Sequence, residues 1–513
     1  MASSTIESVD DRNTCKVLII GAGMAGLSAA NHLLKNSEPD FLILEARGRI
    51  GGRIVSTQVG NEKVELGANW IHGVLGNPIF ELAMANGLID IISVPKPHKV
   101  VAAMEDGKQL PFTVLEEIYE AYVCFLRRCE EYFLSSYSPP EGINSVGAHV
   151  ALEADLYLSS LPPENRKVRR LLFDCLLKRE TCITGCDSME EVDLLEMGSY
   201  AELQGGNISL PGGYSTILAP VAKHIPRDRV LSRHHVTKIS WRKSDVSGTN
   251  QQNRPDLIEV ECQNGKKITA DQLICTIPLG VLKEKSHEIF EPPLPSHKLK
   301  AIDRLMFGTV NKIFLEYERP FLNPGVSEVM LLWDDRSLSE EEKQNLSKSW
   351  FRKIYSFTKI SETLLLGWIS GKAAEYMETL STTEVSEVCT SILRRFLNDP
   401  FVPIPKGCLR TSWHSQPFTR GSYTSMAIGA SQADIECLAE PLFEPNQTKV
   451  KIAFAGEHTH SSFYSTVHGA YLTGRSAAQI CLETRKKNEK QPLTICCEDT
   501  NDLSSWIQGI SLH

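Results

Sequence analysis

The chain has 513 residues, of which 42% are hydrophobic and 23% charged, and its net charge is −9. At roughly 150 residues per domain, that length allows about two to four domains with a large core, and the composition excludes a collagen-like, coiled-coil or wholly disordered chain. The acidic balance argues against a sequence-independent nucleic-acid binder, which needs a cationic surface to displace counterions from phosphate.

Residues 1–15 are polar and acidic and lack the basic start and apolar run of a secretory leader. Residues 16–20 (KVLII) are apolar and β-branched, which predicts a buried parallel strand. The loop Gly21-Ala22-Gly23-Met24-Ala25-Gly26 follows, and residues 27–36 have helical spacing. Residues 40–45 (DFLILE) are a second apolar run, ending on an acid. This β-α-β pattern predicts a dinucleotide site. Gly21 turns the chain out of the strand, Gly23 lets the backbone approach a pyrophosphate, and Gly26 lets helix and strand pack closely. The helix N-terminus offers free N–H groups, and Glu45 accepts hydrogen bonds from ribose hydroxyls.

Residues 48–53 (GRIGGR) read as a loop. From 95 to about 205, apolar residues recur at helical spacing and predict a helical insertion. Strand patterns return at 230–241, 256–262, 271–276 and 304–317, and the charged run 338–348 reads as a surface helix or loop. Residues 451–455 (KIAFA) read as another buried strand, a helix begins near Val467, and the chain is polar from 485 on. No stretch approaches the roughly 18–20 apolar residues of a membrane span, so no membrane association is expected. The 14 cysteines and the histidines give no metal-ligand spacing, and no metal is expected. A cytoplasmic location follows as the default. The final Ser511-Leu512-His513 departs from a Ser-Lys-Leu type address, which makes a peroxisomal location an unfavoured expectation.

Several runs share a further likeness. They are 45–53 (EARGRIGGR), 65–73 (ELGANWIHG), 211–214 (PGGY), 275–282 (CTIPLGVL), 307–316 (FGTVNKIFLE), 454–459 (FAGEHT) and 463–471 (FYSTVHGAY). From about residue 15 to about 485 the chain resembles the flavin amine oxidases, and among them the animal polyamine oxidase branch. The resemblance implies an α/β fold, with a discontinuous Rossmann-like FAD-binding domain (1–95, 206–295 and 436–485). A mixed sheet-and-helix substrate domain (96–205 and 296–435) and a polar tail (486–513) complete the implied organisation.

The same resemblance implies site roles. Glu45 would hold the adenosine ribose, Arg53 the cofactor phosphates or flavin edge, and Val236 the adenine through its backbone. Gly67, Ala68, Asn69 and Trp70 would line the isoalloxazine, Glu457 the ribityl or pyrophosphate region, and Thr466 and Val467 the pyrimidine edge. Reduced flavin gathers negative charge there, which a helix N-terminus stabilises. Lys312 is by residue type a strand lysine reaching solvent, but the resemblance makes it the lysine that holds a water near flavin N5. His72 would orient the substrate and take part in proton handling. Glu202 would anchor a distal ammonium, and Trp70, Tyr214, Phe463 and Tyr464 would wall a tunnel. His458, His460 and His468 read as structural. Ser422 stands where a covalent attachment would need cysteine, so the FAD is expected to be non-covalent. The implied reaction is oxidation of a secondary amine of spermine or an N1-acetylated polyamine by hydride transfer to flavin, with molecular oxygen as acceptor. The alternatives are an L-amino-acid oxidase, with Arg420 as the available carboxylate clamp, and a non-catalytic flavin-binding protein.

Overall fold

The computed structural model describes residues 13–89, 99–242, 257–444 and 449–488. Strand β1 (Thr14–Ile20), helix α1 (Met24–Lys35) and strand β2 (Phe41–Glu45) follow one another as the β-α-β pattern requires. β1 lies parallel to β2, with Val17 opposite Phe41. On its other edge it lies parallel to β3 (Lys267–Cys275), with Ile20 opposite Cys275. The free edge of β3 is shared: Ile258–Cys262 pairs antiparallel with its first half, and Val450–Phe454 parallel with its end. Val230–Ser232 extends the sheet beyond β2.

Both faces of β1 and β2 are covered, so their sequence is continuously apolar rather than alternating. Val17, Ile19, Phe41 and Ile43 pack with Ala25, Ala29, Ala477 and Cys481 on one side. Leu18, Ile20, Leu42 and Leu44 pack with Ile239, Val260 and Leu273 on the other.

A second, six-stranded sheet holds β4 (Val310–Glu316) beside the strand Leu364–Ser370. β4 puts Ile313 and Leu315 into a core with Val329, Phe357 and Phe396. Val310, Lys312 and Phe314 take the opposite face, since side chains alternate along a strand. The helical insertion, with α2 (Phe112–Leu134), Val146–Ser159 and α3 (Pro163–Thr184), covers the Val310 side, packing Tyr122, Phe125 and Leu176 beside Val310 and Met330. The last described helix, α4 (Val467–Asn488), lies against α1.

Three sequence expectations shift. The 304–317 alternation covers two strands in different sheets, Met306–Gly308 and β4, and its first residue closes the helix Ser296–Arg304. The 230–241 stretch breaks at Arg233, which has φ +61°, into Val230–Ser232 and Val236–Ser240. The insertion opens with a strand, Lys99–Met104, on the edge of the second sheet. The charged run 338–348 holds two short helices, and the tail beyond 488 lies outside the described residues.

Candidate active site

A cavity of about 2080 Å³ is lined by both sheets, by α2 and α3, and by the N-terminus of α4. One end is the glycine loop. Gly21 has φ +99°, and a Cβ there would stand 2.5 Å from Thr276 Oγ1. At Gly26 a Cβ would come within 1.9 Å of the Gly21 carbonyl oxygen. Gly26 is absent from the cavity wall, and its part is to seat α1 on the strand. At Gly23 a Cβ would meet only Gly52 Cα, at 4.0 Å, so the backbone is open to a ligand. No side chain caps α1 there, which leaves its first N–H groups available.

Glu45 ends β2 and is buried, its Oε2 accepting from the Ala22 N–H (2.9 Å) and its Oε1 from the Arg47 N–H (2.8 Å). The His234 N–H donates to the Glu45 carbonyl at 2.9 Å, which brings Val236 to the same end of the cavity.

In the middle, Gly67 crosses Arg53 so closely that a Cβ would stand 1.8 Å from the Arg53 carbonyl. The Ala68 N–H donates to that carbonyl at 3.1 Å. Arg53 Nη1 donates to Glu457 Oε1 (2.9 Å) and to the Ser422 carbonyl (2.8 Å). Glu457 also accepts from Thr424 Oγ1 (3.1 Å) and from the Ser465 N–H (2.9 Å). Burial pushes its carboxyl up, but Arg53 and His458 more than reverse that and leave it below the usual range. Thr466 caps α4, its Oγ1 accepting from the Gly469 N–H at 2.9 Å, and α4's first turn opens on the cavity beside Val467.

Lys312 is 3% exposed, which overturns the solvent-facing reading of that residue type. Its Nζ donates to the carbonyls of Glu65 (2.7 Å) and Gly67 (2.9 Å) and to Asn69 Oδ1 (3.1 Å). These three acceptors match the three donors of an ammonium. The Nζ also lies 4.7 Å above the ring of Trp368, its cross-strand partner. Burial pulls its pKa down to about 7. Trp368 stacks on Trp70 with centroids 5.8 Å apart. Nothing local in the sequence marks Trp368; the antiparallel register of two strands brings it there.

His72 Nδ1 pairs with Asn207 Oδ1 at 2.9 Å, which makes Nδ1 the donor and leaves Nε2 as an acceptor when the ring is neutral. Burial lowers its pKa, opposed by Asn207 and Glu202. Tyr464 is buried with its hydroxyl 3.2 Å from Ser199 Oγ, while Glu202 is exposed, and both line the cavity. Of the proposed tunnel aromatics, Tyr214 and Phe463 are instead core residues off the cavity wall. His458 and His468 are buried and His460 is half-buried, and desolvation holds their pKa values down to about 4, about 3 and about 4.

Residues from α2 and α3 that sequence reasoning missed line the far arm, among them Glu130 and Glu180. Arg420 is absent from the cavity wall, its Nε held by Glu284 Oε2 at 2.6 Å, so it is no carboxylate clamp. Among the described residues no helix is long and apolar enough to cross a membrane. The one candidate metal grouping among them, His297, Cys437 and Glu440, is likewise off the cavity wall.

Residues 24–482 match the model of the family described as flavin containing amine oxidoreductase. The peroxisomal N(1)-acetyl-spermine/spermidine oxidase of Homo sapiens is 35% identical, over 93% of this chain and 96% of that protein. Its Bos taurus counterpart is 33% identical over 90% and 93%. A solved structure of putrescine oxidase shares the fold, with TM-score 0.66 at 18% identity, covering 92% of this chain and 99% of that one. Both mammalian relatives are named as peroxisomal enzymes, which corrects the cytoplasmic expectation. An acidic opening argues only against a secretory leader and carries no information about an address read by a receptor.

FAD is the cofactor that this family and fold imply. The open backbone at Gly23, the uncapped start of α1, Glu45 beside Val236, and the start of α4 fit a long two-ended dinucleotide. With that fit, and a family match across most of its length, the chain belongs to the flavin-containing amine oxidoreductases and is an amine-oxidising enzyme of that fold.

Proposed function

We propose that the chain is a polyamine oxidase acting on a secondary amine of spermine or an N1-acetylated polyamine. It would consume molecular oxygen and give a shorter polyamine, an aminoaldehyde and hydrogen peroxide. The observation that carries this reading is Lys312, buried beside Trp368 and Trp70 in a cavity whose far walls bear Glu130, Glu180, Glu196 and Glu202. Acids suit a polycation at its ends, while desolvation in an apolar middle favours the neutral amine that oxidation requires. The names of the mammalian relatives agree.

When bound, FAD supplies the two-electron acceptor. The chain's own residues do the rest. Gly21, Gly23, Glu45 and Val236 would hold the adenosine and phosphate end. Arg53, Gly67, Ala68, Asn69, Trp70, Glu457, Thr466 and Val467 would hold the ring end. Ser422 Oγ accepts from the Val310 N–H at 2.9 Å and offers no thiol, which supports a non-covalent cofactor. Lys312, with a pKa of about 7, can hold or release a proton at neutral pH. His72 Nε2 and Tyr464 would orient the substrate, with Glu202 facing a distal ammonium. In this reading segments 1–95, 206–295 and 436–485 carry the cofactor, and 96–205 and 296–435 the substrate.

Peroxide release against spermine, spermidine, their acetyl derivatives and L-amino acids tests the proposal. Turnover of the polyamines is expected. Turnover of amino acids alone would overturn it.

A further inference from the structure

Lys312 reaches from β4 to one extended segment. Its Nζ takes the carbonyls of Glu65 and Gly67 and the side-chain oxygen of Asn69, which are alternate residues of that segment. The carbonyl of Leu66, between the first two, turns the other way and accepts from Trp413 Nε1 at 3.0 Å. The segment is tied to residues 53–55, with the Leu66 N–H on the Val55 carbonyl (2.8 Å) and the Ala68 N–H on the Arg53 carbonyl (3.1 Å).

Glu65 lends more than a carbonyl. Its side chain is half-buried on the cavity wall, with Oε1 accepting from the Tyr214 N–H (2.8 Å) and Oε2 from Ser56 Oγ (2.6 Å). Ser56 Oγ is itself fixed by the Ser215 N–H at 3.0 Å. Both donors to the carboxylate are neutral, and no ion pair reaches it among the described residues. Lys63, two residues back in the strand Glu62–Glu65, is exposed. One residue thus supplies a carbonyl bond to the ammonium and, within a side-chain length of it, a fixed negative charge.

The other surroundings of Lys312 carry little competing charge. The strands flanking β4 bring Leu366, Trp368 and Leu409 to its face, none of them titratable. Glu316, farther along the same face of β4, is paired with Lys406 at 3.0 Å. Burial lowers the Lys312 pKa, and Glu65 is the charge that opposes it.

Resting on the reading of Lys312 as a proton-handling group, we infer that Glu65 is its positioning residue: the carbonyl fixes the ammonium, and the anchored carboxylate sets how firmly the lysine keeps its proton. A shift of the turn at 211–215, or of the strand Ser56–Val59, would reach the lysine through this one acid.

The test is a titration of the flavin absorption of the oxidised holoenzyme, from about pH 5 to 10, in wild type, Lys312→Met, Glu65→Gln and Glu65→Asp. The component missing from Lys312→Met belongs to the lysine. Glu65→Gln preserves both hydrogen bonds, since an amide accepts from the Tyr214 N–H and donates to Ser56 Oγ, and it removes only the charge. Losing a nearby negative charge disfavours the ammonium, so the midpoint of that component should fall by ~1 pH unit. The pH profile of flavin reoxidation should move with it. Glu65→Asp keeps the charge and should stay within about 0.3 unit of wild type, a third of that shift. Where Glu65→Gln loses its flavin, Ser56→Ala serves: it lets the carboxylate turn toward solvent and should move the midpoint the same way by less. An unmoved midpoint in the variant that holds flavin, or an equal shift in Glu65→Gln and Glu65→Asp, overturns the proposal. A titration that survives whole in Lys312→Met sinks the reading of Lys312 itself, and the proposal with it.

Discussion

The two ends of the cavity use buried acids in opposite ways. At the cofactor end, Glu45 and Glu457 are saturated from within, Glu45 by two backbone N–H groups and Glu457 by Arg53, Thr424 and Ser465. In the far arm, Glu180 has one long bond. A carboxylate satisfied by its own chain holds its surroundings in place whether or not a ligand is present. One held by a single long bond and the field of the adjacent Arg179 is fixed less firmly, and burial raises its pKa to about 6. Lys312 belongs to the first kind by its partners and to the second by its charge, because three acceptors fix its position while burial lowers its pKa.

The sharpest way to break the contrast is at Lys312. Lys312→Met keeps the stem and removes the ammonium. Flavin reduction and reoxidation, followed separately by anaerobic mixing and stopped flow, should slow by ~10²–10⁴-fold in at least one half-reaction. FAD content should be retained, and rates within a factor of three would make the lysine mere packing. At Glu457 the expected loss is in the fold. Glu457→Ala strands Arg53, and a broken buried pair costs about 3–5 kcal/mol. Denaturant melts of the holoenzyme should show this as a lower midpoint, together with weaker flavin retention.

Glu45→Ala should be milder, weakening FAD binding by about 1.5–3 kcal/mol in apo-protein titration, as for loss of a charge-assisted hydrogen bond. An unchanged affinity would mean that Glu45 serves only its backbone donors. The smallest effect concerns pH. Lys312 has a folded pKa of about 7 against the ordinary 10.5, so the unfolded chain binds the extra proton between those values. Its burial is therefore a penalty that is complete below pH 7 and is relieved as pH rises from about 7 to 10.5, so stability climbs across that range. A rise in wild-type melting temperature between pH 7 and 9, absent in Lys312→Met, would show it.

The cofactor end was legible because its parts are contiguous. Gly21, Gly23, Gly26 and Glu45 lie within one β-α-β unit, and each spacing has a local steric reason. Lys312 stood out only through the family likeness. Its burial depends on residues 65–69 and Trp368 closing over β4, and no window of sequence around residue 312 contains them. Trp368, Glu130 and Glu180 were invisible for the same reason, since they meet the site through strand register and helix packing across long stretches of chain. A faint signal did exist: Tyr119, Tyr122, Leu126, Glu130 and Phe133 recur at helical spacing, with an acid inside an otherwise apolar stripe. Arg420 misled for the converse reason, since an arginine near a motif says nothing about a surface partner such as Glu284.

The sharing of β3's edge has a consequence for how the protein is made. β1, α1 and β2 leave the ribosome first, but β3, the strand Val450–Phe454 and α4 that cover them are encoded far downstream. At about 5–20 residues per second, the nascent chain carries a half-built nucleotide cleft for tens of seconds. The outer strand neighbours of β1 and β2 arrive with residues 230–232 and 267–275, and the helix that covers α1 only with residues 467–488. Loading of the flavin is therefore a late event in the life of the polypeptide, and interrupted synthesis leaves a fragment that is sticky rather than merely inactive.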